Sequence, residues 1–270
     1  MRDFAQAFLL VFAQLAVGGF FTLSIPPFDH LERGFFKSSA AVYLAAALIA
    51  LVGWTTLELR AGTTARLPQI GLWGAFAAAA GVYLYSLWGD PYRLRARAYV
   101  ATLALGISAL TATAWTYHAP APSVTAIVYP LSFLLSALVL GGASSGMLLG
   151  HWYLIDTGLT LTPFRRMHRF FVRAMHAQIV LLAVSVVLLW LFSPVAAEAL
   201  ARLWTSHRFL LALRLILGPI AAYALAAMIR RTLDIPQTMA ATGLFYIALL
   251  SVIVGEILGR TILFRTSLPL

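Results

Sequence analysis

The chain has 270 residues, 61% of them hydrophobic and only 10% charged, and its mean hydropathy is +0.89. Soluble domains carry about 25% charged residues, so this deficit excludes a water-soluble globule and assigns most of the surface to lipid. The formal charge of +10 comes almost wholly from arginine, with Lys37 the single lysine. Those arginines sit in short stretches between apolar runs, which reads as membrane orientation and not as nucleic-acid binding.

A membrane-crossing helix needs about 20 apolar residues. The first such run, Phe4 to about Leu23, is too long for the core of a signal peptide. It ends in Ser24-Ile25-Pro26-Pro27 instead of a small-residue cleavage site. The second covers about Ser39 to Leu57, the third Leu67 to Leu87 and the fourth Ala96 to Tyr117. The turn Ala119-Pro120-Ala121-Pro122 then precedes a long fifth run, about Val124 to Tyr153, with Pro130 near its start. The sixth spans Phe170 to Phe192, the seventh Phe209 to Met228 and the eighth Met239 to Phe264. Pro236 precedes the last, where a helix tolerates proline. The longest connections, around residues 154–169 and 193–208, read as loops.

The pattern predicts an all-α, polytopic integral membrane protein, a bundle of about eight transmembrane helices forming one domain over residues 1–270. No segment is left for a soluble catalytic domain. One set of connections carries 11 Arg and Lys residues, among them Arg33, Arg93, Arg166 and Arg231, and the other carries 6, among them Arg2, Arg60 and Arg265. The positive-inside rule then places both termini on the non-cytoplasmic side of a bacterial-type cytoplasmic membrane.

The chain has no cysteine. That removes Cys-ligated iron–sulfur clusters, thiolate metal sites, covalent haem attachment and disulfides. Any redox centre is a His-ligated haem or belongs to a partner subunit. His151, His168 and His176 are the histidines to weigh, with His118 and His207 in loops on the opposite side. His151 sits in His151-Trp152-Tyr153, which reads as an interfacial aromatic belt, and His168 looks interfacial too. A b-type haem is therefore not expected, nor a bound metal or a catalytic residue.

Small residues mark packing faces. The fifth run carries Gly142, Gly146 and Gly150 at four-residue steps, the first carries Gly18 and Gly19, and the last carries Gly255 and Gly259. In lipid such residues let backbones approach closely. Glu256 and Arg260 stand i,i+4 within the last apolar run, so they share a face and are expected to form a structural ion pair. Arg214, in the seventh run, is an alternative partner for Glu256. Arg165, Arg169, Arg173 and His176 follow helical spacing into the sixth run and are expected to anchor the helix on anionic phospholipid head groups.

Val11-Phe12-Ala13-Gln14-Leu15-Ala16-Val17-Gly18-Gly19-Phe20 resembles the first helix of the membrane anchor subunits of dimethyl sulfoxide reductase (the DmsC family). Leu249 to Arg260, with its Gly255-Glu256-x-x-Gly259-Arg260 pattern, resembles that family's last helix, and Pro130 to Leu134 followed by Gly141-Gly142 resembles its fifth. The resemblance implies an eight-helix anchor that holds an iron–sulfur subunit and a molybdopterin enzyme and oxidises menaquinol without a haem of its own. The family places a histidine at the end of helix two, beside the quinol site. Glu58 stands there in this chain, before a shorter loop that departs from the family pattern. Glu58, with Arg60 and Arg66, is the candidate contact to menaquinone or ubiquinone, because a carboxylate accepts a quinol proton.

The expected function is a membrane anchor subunit of a respiratory electron-transfer complex, with iron–sulfur or cytochrome subunits and phospholipids as partners. Two further readings stay open: a non-redox accessory subunit of a cytochrome bc-type complex, and a small transporter.

Overall fold

A computed structural model of the chain describes residues 2–62, 64, 66–89, 91–117, 124–156 and 158–269. His118 and the Ala119-Pro120-Ala121-Pro122 turn fall outside the described residues. The described residues form nine helices and no strand: α1 (Arg2–Thr22), α2 (Arg33–Ala61), α3 (Leu67–Ser86), α4 (Tyr92–Trp115), α5 (Thr125–Ile155), α6 (Thr162–Phe192), α7 (Pro194–Ser206), α8 (Arg208–Asp234) and α9 (Thr238–Thr266). All but α7 are long and apolar enough to cross a membrane, the make-up of a multi-pass membrane protein.

Two stretches read as loops are largely helical. Helix α6 begins at Thr162, so Arg165, Arg166 and Arg169 lie on its first turns. Residues 193–208 hold α7, which starts on Pro194 with the Ser193 hydroxyl accepting from the Ala196 amide at 3.4 Å. Serine before the helix and proline at its first position are both start signals. Ala196, Ala199 and Leu203 face inward and join Leu189 of α6, Ile262 of α9 and Leu268 in a small apolar cluster.

Helices α1 and α5 form the axis of the bundle. In each, 67% of the apolar window is buried, against 17% in α6 and 22% in α8, which flank it. Glycine sets this order. A Cβ on Gly18 would stand 1.7 Å from the Ala137 carbonyl oxygen, and one on Gly141 would stand 2.2 Å from the Gly18 carbonyl. The two backbones touch where side chains are missing, the contact that lipid-embedded helices rely on in place of a hydrophobic drive. Gly19 presses on the Tyr43 ring of α2. Gly142 faces Phe171 of α6, Gly146 faces Phe245 of α9, and Gly150 meets Phe164 of α6 and Thr242 of α9. One glycine-rich helix thus receives α1, α6 and α9 side by side.

Buried hydrogen bonds fix the axis further. The Gln14 amide donates to the Phe133 carbonyl at 3.1 Å. Ser145 Oγ lies 2.6 Å from both Thr22 Oγ1 and the Tyr43 hydroxyl, joining α5 to α1 and α2. The proline break in α5 is repaired by a side chain. Pro130 has no N–H, which leaves the Ala126 carbonyl without its helical donor; the Trp115 indole donates to that oxygen at 3.0 Å. Pro219 lies in a π turn, Ile216–Ile220, within α8, and the Ser251 hydroxyl donates to the Leu217 carbonyl there. Where no water reaches, freed backbone groups need such partners. Beyond α9 the chain folds back on α5: Tyr129 donates to the Ser267 carbonyl, and Ser132 donates to that of Pro269 at 3.1 Å.

Candidate functional site

Three polar constellations stand out in an otherwise apolar bundle. The first is buried where α5, α6, α8 and α9 converge. Glu256 and Arg260 of α9 are 1% and 0% exposed, and Arg214 of α8 is 5% exposed. Glu256 Oε1 accepts from Arg214 Nη2 at 2.9 Å and from Gln178 Nε2 of α6 at 2.7 Å. Its Oε2 accepts from Arg260 Nη2 at 3.2 Å. Ser136 Oγ of α5 accepts from Arg260 Nη2 at 2.6 Å and from Gln178 Nε2 at 3.0 Å. The Arg260 guanidinium also lies over the Phe133 ring, 4.5 Å from its centroid.

Backbone shape admits this network. A Cβ on Gly255 would stand 2.5 Å from the Gly218 Cα, so α8 and α9 cross at a glycine pair immediately beside Arg214. Two arginines against one glutamate leave one net positive charge in a low-dielectric setting; Glu256, Ser136 and the Phe133 face meet the guanidinium groups, and Gln178 supports Glu256 and Ser136 by donating to both. A cavity of about 20 Å³, lined by Ser132, Gln178, Ser185 and Arg214 among others, adjoins the network and has room for a water molecule.

The second constellation is a groove of about 800 Å³ between the start of α6 and the end of α8. Arg165, Arg169 and Arg173 of α6 and Arg230 of α8 line it, with Asp234 the one acidic residue of its lining. Arg165 Nη2 donates to the Leu233 carbonyl at 3.0 Å, tying the two helices together. His168 lies on the wall, and its Nε2 donates to the Ala226 carbonyl at 2.8 Å. His176 is exposed one turn beyond: its Nδ1 donates to the Val172 carbonyl at 2.8 Å, and its Nε2 accepts from the Tyr223 hydroxyl at 3.3 Å. His151 is exposed on α5.

The third is the turn from α2 to α3. Glu58 and Arg60 lie in the last turn of α2, which Gly62 ends in the left-handed conformation at φ 64°. Glu58 is buried, and its Oε1 accepts from the Arg66 backbone amide at 3.1 Å, so the carboxylate closes the turn. Arg60 is exposed and Arg66 half-buried. One turn earlier Trp54 packs on Trp73 of α3, whose indole donates to Thr113 of α4 at 3.1 Å.

Sequence reasoning found Glu256, Arg260 and Arg214 as charges, but not Gln178 or Ser136, nor Arg230 as the far wall of the groove. Gln178 is an isolated amide inside an apolar run, and an uncompensated polar group there signals a buried partner. Gly218 was readable as a small residue beside Pro219, and its contact with Gly255 was not. Gly259 is buried on α9.

Among the described residues no group of three or more His, Asp and Glu side chains is placed to hold a metal ion. The fold and these sites define a class: a multi-pass helical bundle with a buried arginine–glutamate–arginine network and an arginine-lined groove. Compared with known families and curated proteins, the chain matches no family model and no curated sequence.

Proposed function

We propose that this protein is a membrane anchor subunit of a multi-subunit respiratory complex, related to the dimethyl sulfoxide reductase anchors. The observation that carries the reading is where the resembling motifs lie. Gly18-Gly19, Gly141-Gly142 and Gly255-Glu256 through Arg260 are the residues by which α1, α5, α8 and α9 pack. Residues that set how helices pack in lipid serve a scaffold. The sparsely buried flanks of α6 and α8 supply broad apolar faces for partner helices or lipid. In this reading both termini lie outside the cytoplasm, and the arginine-rich end, with Arg33, Arg93, Arg165 and Arg230, faces inward.

Purification in mild detergent on a C-terminal tag tests this. Mass spectrometry is expected to find a molybdopterin subunit and an iron–sulfur subunit with the chain, and the tag is expected to be cleaved by protease added outside intact cells. A chain that purifies alone would overturn the anchor reading, and a protected tag would overturn the orientation.

Within that reading Glu58 is the quinol contact, accepting a proton at the end of α2 with Arg60 and Arg66 nearby. Glu58→Gln keeps an oxygen for the Arg66 amide and removes the proton acceptor. Quinol oxidation by the intact assembly is expected to fall about 100-fold or more. An unchanged rate would move the function to a non-redox accessory subunit, a reading favoured by the engagement of Glu58 with the Arg66 amide.

A further inference from the structure

We propose that the groove between α6 and α8 seats an anionic phospholipid bearing two phosphates. The proposal does not depend on the anchor reading. Four arginines line the groove against one carboxylate, Asp234, and among the described residues none of the four forms an ion pair. Arg165, Arg169 and Arg173 recur at four-residue steps, so their stripe is about 12 Å long at 1.5 Å per residue. A single phosphate cannot engage both ends of that stripe, whereas two phosphates can, with Arg230 reaching the same space from α8. Arginine binds phosphate oxygens in pairs through its planar fork.

Depth points to lipid instead of a soluble anion. Arg173 lies three residues inside the apolar run that begins at Phe170, and Arg165 and Arg169 lie just before it, which sets the stripe at the edge of the hydrocarbon, where lipid head-group phosphates stand. The groove floor is apolar at Val172, Ala226 and Ala227. Past the groove the same face of α6 continues as exposed Val180, Val184 and Val187, an apolar track on which acyl chains can lie. Tyr223, held by His176, stands at the lip with its ring toward the groove lining.

Thermal unfolding of the purified full chain in detergent, titrated with defined additives, decides the matter. Diphosphatidylglycerol is expected to raise Tm saturably, phosphatidylglycerol at equal phosphate to act at least threefold more weakly, and phosphatidylcholine to do nothing. The double variant Arg169→Gln, Arg230→Gln is expected to raise the half-saturating concentration of diphosphatidylglycerol about tenfold. Arg166→Gln with Arg231→Gln, exposed arginines of the same end outside the lining, is expected to leave it unchanged. An equal response to both anionic lipids would overturn the two-phosphate claim. Sodium diphosphate matching the lipid would make this a soluble-anion site, and an unaffected groove double variant, or a partner chain found seated in the groove, would overturn the lipid site altogether.

Discussion

Glu256→Gln is expected to destabilise the protein by about 3–5 kcal/mol, the usual result of stripping the counter-charge from a buried ion pair. The network holds Arg214, Arg260 and a single carboxylate, so removing that carboxylate takes the buried charge from one positive to two. Glutamine can accept from one guanidinium but must turn its amide hydrogens toward the other or toward Gln178, which is itself donating to that position. The arithmetic is asymmetric. Arg260→Met leaves Arg214 and Glu256 as a neutral pair, with methionine filling the space over Phe133. It forfeits the charge-assisted bonds to Glu256 and Ser136, about 1.5–3 kcal/mol each, but it also removes the uncompensated buried positive charge, so the net loss is expected to be smaller than for Glu256→Gln. The double variant Glu256→Gln, Arg260→Met is expected to recover part of the loss. Folded yield and Tm in detergent rank the four proteins. If Arg260→Met proves as damaging as Glu256→Gln, buried charge is not what the network balances.

Gly18→Ala is expected to be nearly as severe, about 3 kcal/mol or more, at the top of the range for overpacking. The added methyl meets the Ala137 carbonyl oxygen, which is backbone, so no rotamer change makes room. Relief requires α1 to move off α5, which breaks the Gln14 to Phe133 bond and the Thr22–Ser145–Tyr43 cluster together. Gly71→Ala and Gly81→Ala on α3 are the controls. Nothing lies within 4 Å of a Cβ at either position, and alanine there should hold or raise Tm, because glycine costs a helix about 0.5–1 kcal/mol. A Gly18→Ala protein as stable as these controls would mean that the α1–α5 contact does not organise the bundle.

The helices were legible in the sequence because membrane thickness imposes a length and lipid imposes a composition, and neither depends on tertiary context. Contacts were legible only where they are local. Glu256 and Arg260 share a helix face by spacing alone, while Arg214 reaches Glu256 from 42 positions away and was readable only as an alternative. The glycines of α5 declared a packing face, but which neighbour each receives depends on how the helices are arranged. Helix α7 escaped because a 13-residue amphipathic segment between two spans resembles a loop by hydropathy; its Ser193-Pro194 start and its Ala196, Ala199, Leu203 spacing were the signals available. The groove was half visible: the α6 arginines were grouped by periodicity, and Arg230 was counted only toward orientation.

The pairing of α1 with α5 also constrains how the protein is made. Gln14 and the carbonyl it binds on Phe133 are 119 residues apart. At the usual 5–20 residues per second of synthesis, α1 enters the bilayer about 6–24 s before its principal neighbour exists. For that interval the Gly18 face and Gln14 lack their α5 partners, and α2, whose Tyr43 meets Gly19, is the neighbour α1 acquires first. Helix α1 must therefore be stable in lipid beside its early neighbours and later serve as the innermost element of the assembled bundle.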